Sequence, residues 1–192
     1  MLTIRSDVSV PGLTGLQITD FLLEPTDARY QAWWPGTHLR FHLVRPGRPD
    51  HRGDAVYMDE IVGRRRIRHT AVVTGAVPGS RIVWRLGWRI PLPIRLTLNM
   101  TDTPDGVDIQ HTITAGYPGT GRILDPLFRL YFTNRFAAAM NDHAHIEFSR
   151  LHDLLTIPDP APHEKGQQPA HRRQDRRRSW TGRGSGSVSR SV

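Results

Sequence analysis

LDPLFRLYFTNRFAAAMNDHAHIEFSRLHDLL, residues 124–155, is the one long helical pattern in the chain. Leu127, Leu130, Tyr131, Asn134, Ala138, Asn141, Ile146 and Leu154 recur at three- and four-residue spacing, and Leu124, Phe128, Phe132, Phe136, Met140 and Leu151 widen the apolar stripe. Asp125-Pro126 is a start signal: a side-chain acceptor for orphan N–H groups, then a proline where its missing N–H costs nothing. Pro158 and Pro160 are stop signals. At about 1.5 Å per residue such a helix spans roughly 45 Å, so it needs a broad surface to lie on.

The preceding residues supply that surface. Residues 2–10 read as a strand, closed by Pro11-Gly12. Thr14-Gly-Leu-Gln17 has capping-box form and opens a short helix to Leu23; Thr26 caps a second, Asp27 to Trp34, ended by Pro35-Gly36. The period then changes to two. Residues 38–44 set Leu39, Phe41 and Leu43 against His38, Arg40 and His42. Residues 54–62, 65–74, 81–88, 94–101 and 107–115 are further strands, rich in Val, Ile, Thr and Trp. Tight-turn chemistry separates them (Val62-Gly63-Arg64, Pro78-Gly79-Ser80, Pro91-Leu92-Pro93, Pro104-Asp105-Gly106), which implies antiparallel neighbours. A sheet with one solvated face needs a cover on the other, and the long helix is large enough.

Composition narrows the function classes. The chain has 192 residues, no cysteine and a formal charge of +8. Residues 160–192 hold eight Lys/Arg against two Asp/Glu and almost no aliphatic side chains. The rest is therefore close to neutral, which argues against a specific nucleic-acid face. Disulfides, thiolate chemistry and cysteine metal sites are excluded. No run approaches the ~20 apolar residues of a membrane span, and residues 1–10 lack the apolar core of a secretion signal. A cytoplasmic location is the expectation. Residues 158–192 read as a disordered basic tail, open at most to weak contacts with anionic surfaces, and residues 1–157 as the folded domain.

The order strand, two short helices, six strands, long helix resembles the START-like, or SRPBCC, superfamily. Tyr30-Gln-Ala-Trp-Trp-Pro35, Asp59-Glu60-Ile-Val-Gly63, Val77-Pro78-Gly-Ser-Arg-Ile-Val-Trp84, His111 to Thr114 and Glu147 to Leu155 are similar to corresponding segments of its polyketide cyclase/dehydrase-like branch. The resemblance implies an α+β helix-grip fold: a curved antiparallel sheet of about seven strands, two short helices and a long C-terminal helix enclosing a cavity. It also implies a small hydrophobic lipid, aromatic or polyketide-like ligand. One reaction does not follow from a fold.

Alternation assigns inward faces: Ile82, Trp84, Leu86 and Trp88; Ile94, Leu96, Leu98 and Met100; Val107, Ile109, His111 and Ile113; Ile67, His69, Ala71 and Val73. The phase of residues 54–62 is ambiguous, so one of Asp59 and Glu60 points inward. The expected ligand contacts are Trp34, Tyr57, His69, Trp84, Trp88, Met100, His111, Leu127, Tyr131 and Asn134. Catalytic candidates are His69 or His111 as general base with Asp59 or Glu60 as partner. The competing reading makes both histidines hydrogen-bonded core residues. Function is thus expected to be hydrophobic ligand binding, with a cyclase- or dehydratase-type enzyme and a tail-mediated adaptor as alternatives. No cofactor is expected. Asp142-His-Ala-His145 looks like a metal motif, but His143 and His145 diverge on a helix. His143 and Glu147 share a face without a third ligand, so this segment is placed on the solvated side with no metal.

Overall fold

Along β1 (Leu2–Pro11), Ile4, Ser6, Val8 and Val10 are buried and their neighbours exposed, the alternation of a half-covered strand. That strand is one edge of a seven-stranded antiparallel sheet in a computed structural model that describes residues 1–117, 119 and 125–156. The other strands are β2 (His38–Arg45), β3 (Ala55–Val62), β4 (Arg65–Val77), β5 (Arg81–Leu86), β6 (Ile94–Thr103) and β7 (Gly106–Ala115), in the order β1-β7-β6-β5-β4-β3-β2. The sheet is not closed: β1 and β2 are its edges. The 158–192 tail lies outside the described residues, as do most of the glycine-rich link before the last helices and the side chain of Leu127. No helix among the described residues is long and apolar enough to cross a membrane.

The short helices form where their caps predict. α1 (Gly15–Leu23) starts at Thr14, whose hydroxyl accepts from the Gln17 N–H while the Gln17 side chain accepts from the Thr14 N–H. α2 (Asp27–Trp33) starts at Thr26, whose side chain accepts from the Arg29 N–H. At the β3–β4 hairpin, Gly63 has φ +58° and a Cβ there would lie 3.1 Å from Ala139 Cβ, so a side chain at this turn would be both strained and crowded against the last helix.

The C-terminal pattern is two helices, α3 (Asp125–Tyr131) and α4 (Asn134–Thr156). Thr133 makes the break: its hydroxyl accepts from the Phe136 N–H and its carbonyl from the Ala137 N–H, the arrangement of an N-cap. The restart fixes which face is buried. Phe136, Met140, His143, Ala144, Phe148 and Leu151 face the sheet, whereas Leu130, Tyr131, Asn134, Ala138 and Ile146 of the expected stripe are at least partly exposed.

Two apolar clusters hold the domain. The larger joins α1, α2 and the later part of α4 to the sheet through residues such as Ile18, Phe41, Ile82 and Phe148. The smaller gathers Ile4, Val62, Ile113, Phe132, Phe136 and Met140. Leu96 packs against both, and a cavity lined from both clusters remains between them.

Candidate functional site

The cavity has a volume of about 540 Å³. Trp33, Phe41, Trp84, Leu98 and Phe148 from the larger cluster and Ile113, Phe132, Phe136 and Met140 from the smaller one form most of its wall. Leu92 and Tyr131 line it yet stay exposed, so it reaches the surface between the β5–β6 loop and α3. The polar side chains that line it are few: Tyr30, Glu60, His69, His111, Tyr131, His143 and Glu147; Arg68 also borders it, but its guanidinium lies 3.5 Å from Asp59 on the other face of the sheet.

One polar cluster draws on three elements. His38 opens β2, Glu60 lies in β3, and His143 and Glu147 are one turn apart on α4. Their ligand atoms all lie within 4.8 Å of one another. His38 Nε2 is 3.6 Å from Glu147 Oε1; His143 Nε2 is 3.6 Å from Glu60 Oε2 and 3.9 Å from Glu147 Oε2. All three are longer than hydrogen bonds. Both Nε2 atoms are buried without a hydrogen-bond partner. His38 is 0% exposed and His143 5%. These imidazoles and carboxylates are residue types that ligate divalent metals.

Aromatic rings fix the cluster. Tyr30 stacks on His38 at 4.0 Å between centroids and donates its O–H to Glu60 Oε2 at 2.8 Å. Trp34 stacks on His143 at 4.8 Å, and Trp33 and His38 meet in a T-shaped pair at 4.7 Å. The Trp33 side-chain N–H donates to the Glu147 carbonyl at 2.6 Å, tying α2 to α4.

Protonation follows from burial and neighbours. Burial lowers His38 to about 4, with Glu60 opposing it. Burial also acts to lower His143, but Glu60 and Glu147 outweigh it and the net shift is upward. Glu60 is held below the usual carboxylate range because His143 and Tyr30 overcome the upward push of burial. Glu147 is pushed up to about 8, by burial first, against His143 and with Glu60 adding to it. Two carboxylates this close cannot both ionise in a buried site without more positive charge.

The structure distributes the expected site residues unevenly. Trp84, His69 and His111 line the cavity, and so does Tyr131. Burial lowers His69, and lowers His111 to about 4, against Glu60 in both cases; each has an unpartnered Nδ1. Of the two acids, Glu60 faces inward. Asp59 faces the opposite side of the sheet, where Arg66 donates to both of its carboxylate oxygens at 2.8 and 2.7 Å. Asp59 is therefore out of reach as a partner for His69 or His111. Tyr57 and Trp88 line a separate depression on that same outer side with Arg40, His42 and Thr70. For Trp88 the reason is that β5 ends at Leu86 and Gly87 turns the chain at φ +80°. Met100 packs in the larger cluster away from the cavity wall, Asn134 is exposed at the start of α4, and Trp34 touches the cluster through His143.

Three cluster members were absent from the sequence-based site. A register shift between His38 and Arg40 turns His38 to the same side as Phe41, against simple alternation, and sets it opposite Glu60. His143 and Glu147 share a face as their spacing requires, but it is the buried face. The assignment of this segment to the solvated side is corrected: its third and fourth neighbours come from β2 and β3.

The fold matches solved structures of low sequence similarity. Protein MLL2253 from Mesorhizobium loti aligns with TM-score 0.51 at 11% identity, over 83% of this chain and 100% of that one. KanY protein aligns with TM-score 0.53 at 10% identity, over 79% of this chain and 95% of its own. TTHA0849 from Thermus thermophilus gives 0.51 at 12% identity, over 80% and 97%. No family model and no curated protein sequence matches the chain. What the chain shares with them is the fold: an α+β helix-grip arrangement of a seven-stranded antiparallel sheet, short helices and a C-terminal helix.

Proposed function

We propose that the protein binds a small, largely hydrophobic molecule, of lipid, aromatic or polyketide type, inside the helix-grip cavity. The observation that carries this is the cavity itself: about 540 Å³, walled by aromatic and aliphatic side chains, with its polar groups gathered at few points. Small-molecule sites have this character, an apolar volume of roughly 300–1,000 Å³ with a few orienting polar groups. Leu92 and Tyr131 at the opening give a hydrophobic ligand an apolar path inward.

Native mass spectrometry of the full chain purified from its own host tests this, followed by titration of fatty acids and polycyclic aromatics against the fluorescence of Trp33 and Trp84. A retained mass of a few hundred daltons, or saturable quenching, is expected, and Ile113→Trp, which fills the cavity, removes either signal. Binding that survives Ile113→Trp in a folded protein, or none across the panel, contradicts the reading. Deleting residues 160–192 leaves ligand binding and Tm unchanged; loss of either contradicts a ligand site contained within residues 1–157.

One arrangement favours a second, enzymatic reading of cyclase or dehydratase type. Tyr30, Glu60 and His143 place a phenol, a carboxylate and an imidazole in contact at the wall of an apolar cavity. Such groups serve general acid–base steps. Turnover of a polyketide-like substrate that Glu60→Gln abolishes, with binding retained, distinguishes catalysis from carriage.

A further inference from the structure

We infer that His38, Glu60, His143 and Glu147 form a binding site for one divalent transition-metal ion at the wall of the cavity. Distances are the first support. Metal–ligand bonds of about 2.0–2.2 Å to imidazole nitrogen and carboxylate oxygen imply neighbouring donor–donor separations of roughly 2.8–3.1 Å in octahedral and roughly 3.3–3.6 Å in tetrahedral sites. Three histidine–carboxylate separations are 3.6, 3.6 and 3.9 Å, the first to Glu147 Oε1 and the last to Glu147 Oε2, and the four donors all lie within 4.8 Å of one another. The three are too long for hydrogen bonds and at, or a few tenths of an ångström beyond, the edges of a tetrahedral site, so a small inward shift of the side chains closes the polyhedron.

Unsatisfied polarity points the same way. Buried nitrogens are normally hydrogen-bonded, because an orphaned polar atom costs free energy. Nε2 of His38 and Nε2 of His143 are both buried and unpartnered, and both belong to the four-residue cluster. One cation satisfies both at once. Charge agrees: two neutral imidazoles, two carboxylates and a dication sum to zero, so the buried site carries no net charge once filled.

The supporting contacts resemble a metal site's outer layer. Tyr30 donates to Glu60, its ring stacks on His38, and Trp34 stacks on His143. Side-chain partners of this kind orient ligands before the ion arrives. His143 and Glu147 are held four apart on one helix, and His38 and Glu60 are paired across two strands, so all four sit on rigid elements. The N₂O₂ donor set suits Zn²⁺, Co²⁺, Mn²⁺ or Fe²⁺ and is unlike the all-oxygen shells of Ca²⁺ and Mg²⁺. Such a site does not require the hydrophobic ligand.

The test uses the full, tag-free chain, stripped with chelator and titrated with Co²⁺ while visible absorption and metal content are read. One ion per chain is expected, with d–d bands of a four- or five-coordinate site. Apparent affinity falls at least about 100-fold in His143→Gln and in Glu147→Gln, and stays within about 3-fold in His145→Gln, on the exposed side of the same helix. Equal affinity in His143→Gln and His145→Gln, or an octahedral aquo-type spectrum with sub-stoichiometric metal, overturns it. If the cluster variants do not fold, the unmodified chain decides by X-ray absorption: two imidazole nitrogens and two carboxylates in the first shell support the site, and oxygen-only coordination refutes it.

Discussion

Asp59 and Glu60 are adjacent in sequence and lie on opposite faces of the sheet, and their surroundings differ in kind. Asp59 meets a half-exposed arginine through two hydrogen bonds of 2.7 and 2.8 Å, with Arg68 at 3.5 Å. Its charge is answered at contact distance, and Arg66 first of all lowers its pKa. Glu60 lies in an aromatic shell, with one hydrogen bond from Tyr30 and a histidine at 3.6 Å. On the outer face the Asp59 carboxylate has already found its partners. On the inner face four of them converge without closing the contacts, and that residual demand marks a place built for something else.

Four outcomes sharpen or break this contrast. The largest belongs to Glu60→Ala, which leaves the Tyr30 hydroxyl and His143 buried without their partner; breaking a buried pair in this way costs about 3–5 kcal/mol. Urea unfolding of the metal-free chain measures it.

Next comes acid sensitivity from His111. Its folded pKa of about 4 lies below the ordinary 6.5, so the folded state prefers the neutral ring. The stability this histidine permits is whole above about pH 6.5 and is lost as pH falls towards 4, by at most about 3 kcal/mol at about 1.4 kcal/mol per unit. Burial sets the shift, with Glu60 opposing and His143 reinforcing it. His38 and His69 titrate downward for the same reason, so the comparison is between unfolding curves of the parent and His111→Gln across pH 4–7: the variant's dependence is shallower. Parallel curves contradict the assignment.

Tyr30→Phe comes third. It removes one donor from a buried carboxylate and costs about 1–3 kcal/mol. Asp59→Asn has the smallest effect, about 1 kcal/mol or less, because its arginine is half exposed and solvent screens the pair. The same urea titrations rank the two. A larger loss from Asp59→Asn than from Tyr30→Phe would reverse the contrast between the two faces.

The sheet was legible in the sequence because its strands keep period two between turns with strong local chemistry, and the capping motif at Thr14 located α1. The last helices were legible as helix but not as two. Thr133 sits inside a periodic apolar pattern, and its role as a cap shows only when the Phe136 and Ala137 N–H groups are traced to it. His143 and Glu147 were sent outward because no third ligand was visible near them in sequence; their partners His38 and Glu60 lie far earlier in the chain, on β2 and β3. His38 was lost to a local irregularity: a register shift in β2 reverses its side, and alternation carries no sign of it. The pairing of Asp59 and Glu60 with opposite faces needed only the correct phase of β3, which hydrophobicity does not fix because Tyr57 and Met58 are both half-buried. His69, His111 and Trp84 reached the cavity because their strands are regular there.

Calorimetric titration of Zn²⁺ into the chelator-stripped full chain, run side by side with Glu147→Gln and Asp59→Asn, tests the contrast most directly. The account predicts one tight site in the parent and in Asp59→Asn, and at least about 100-fold weaker binding in Glu147→Gln. Indistinguishable isotherms for all three proteins would contradict it.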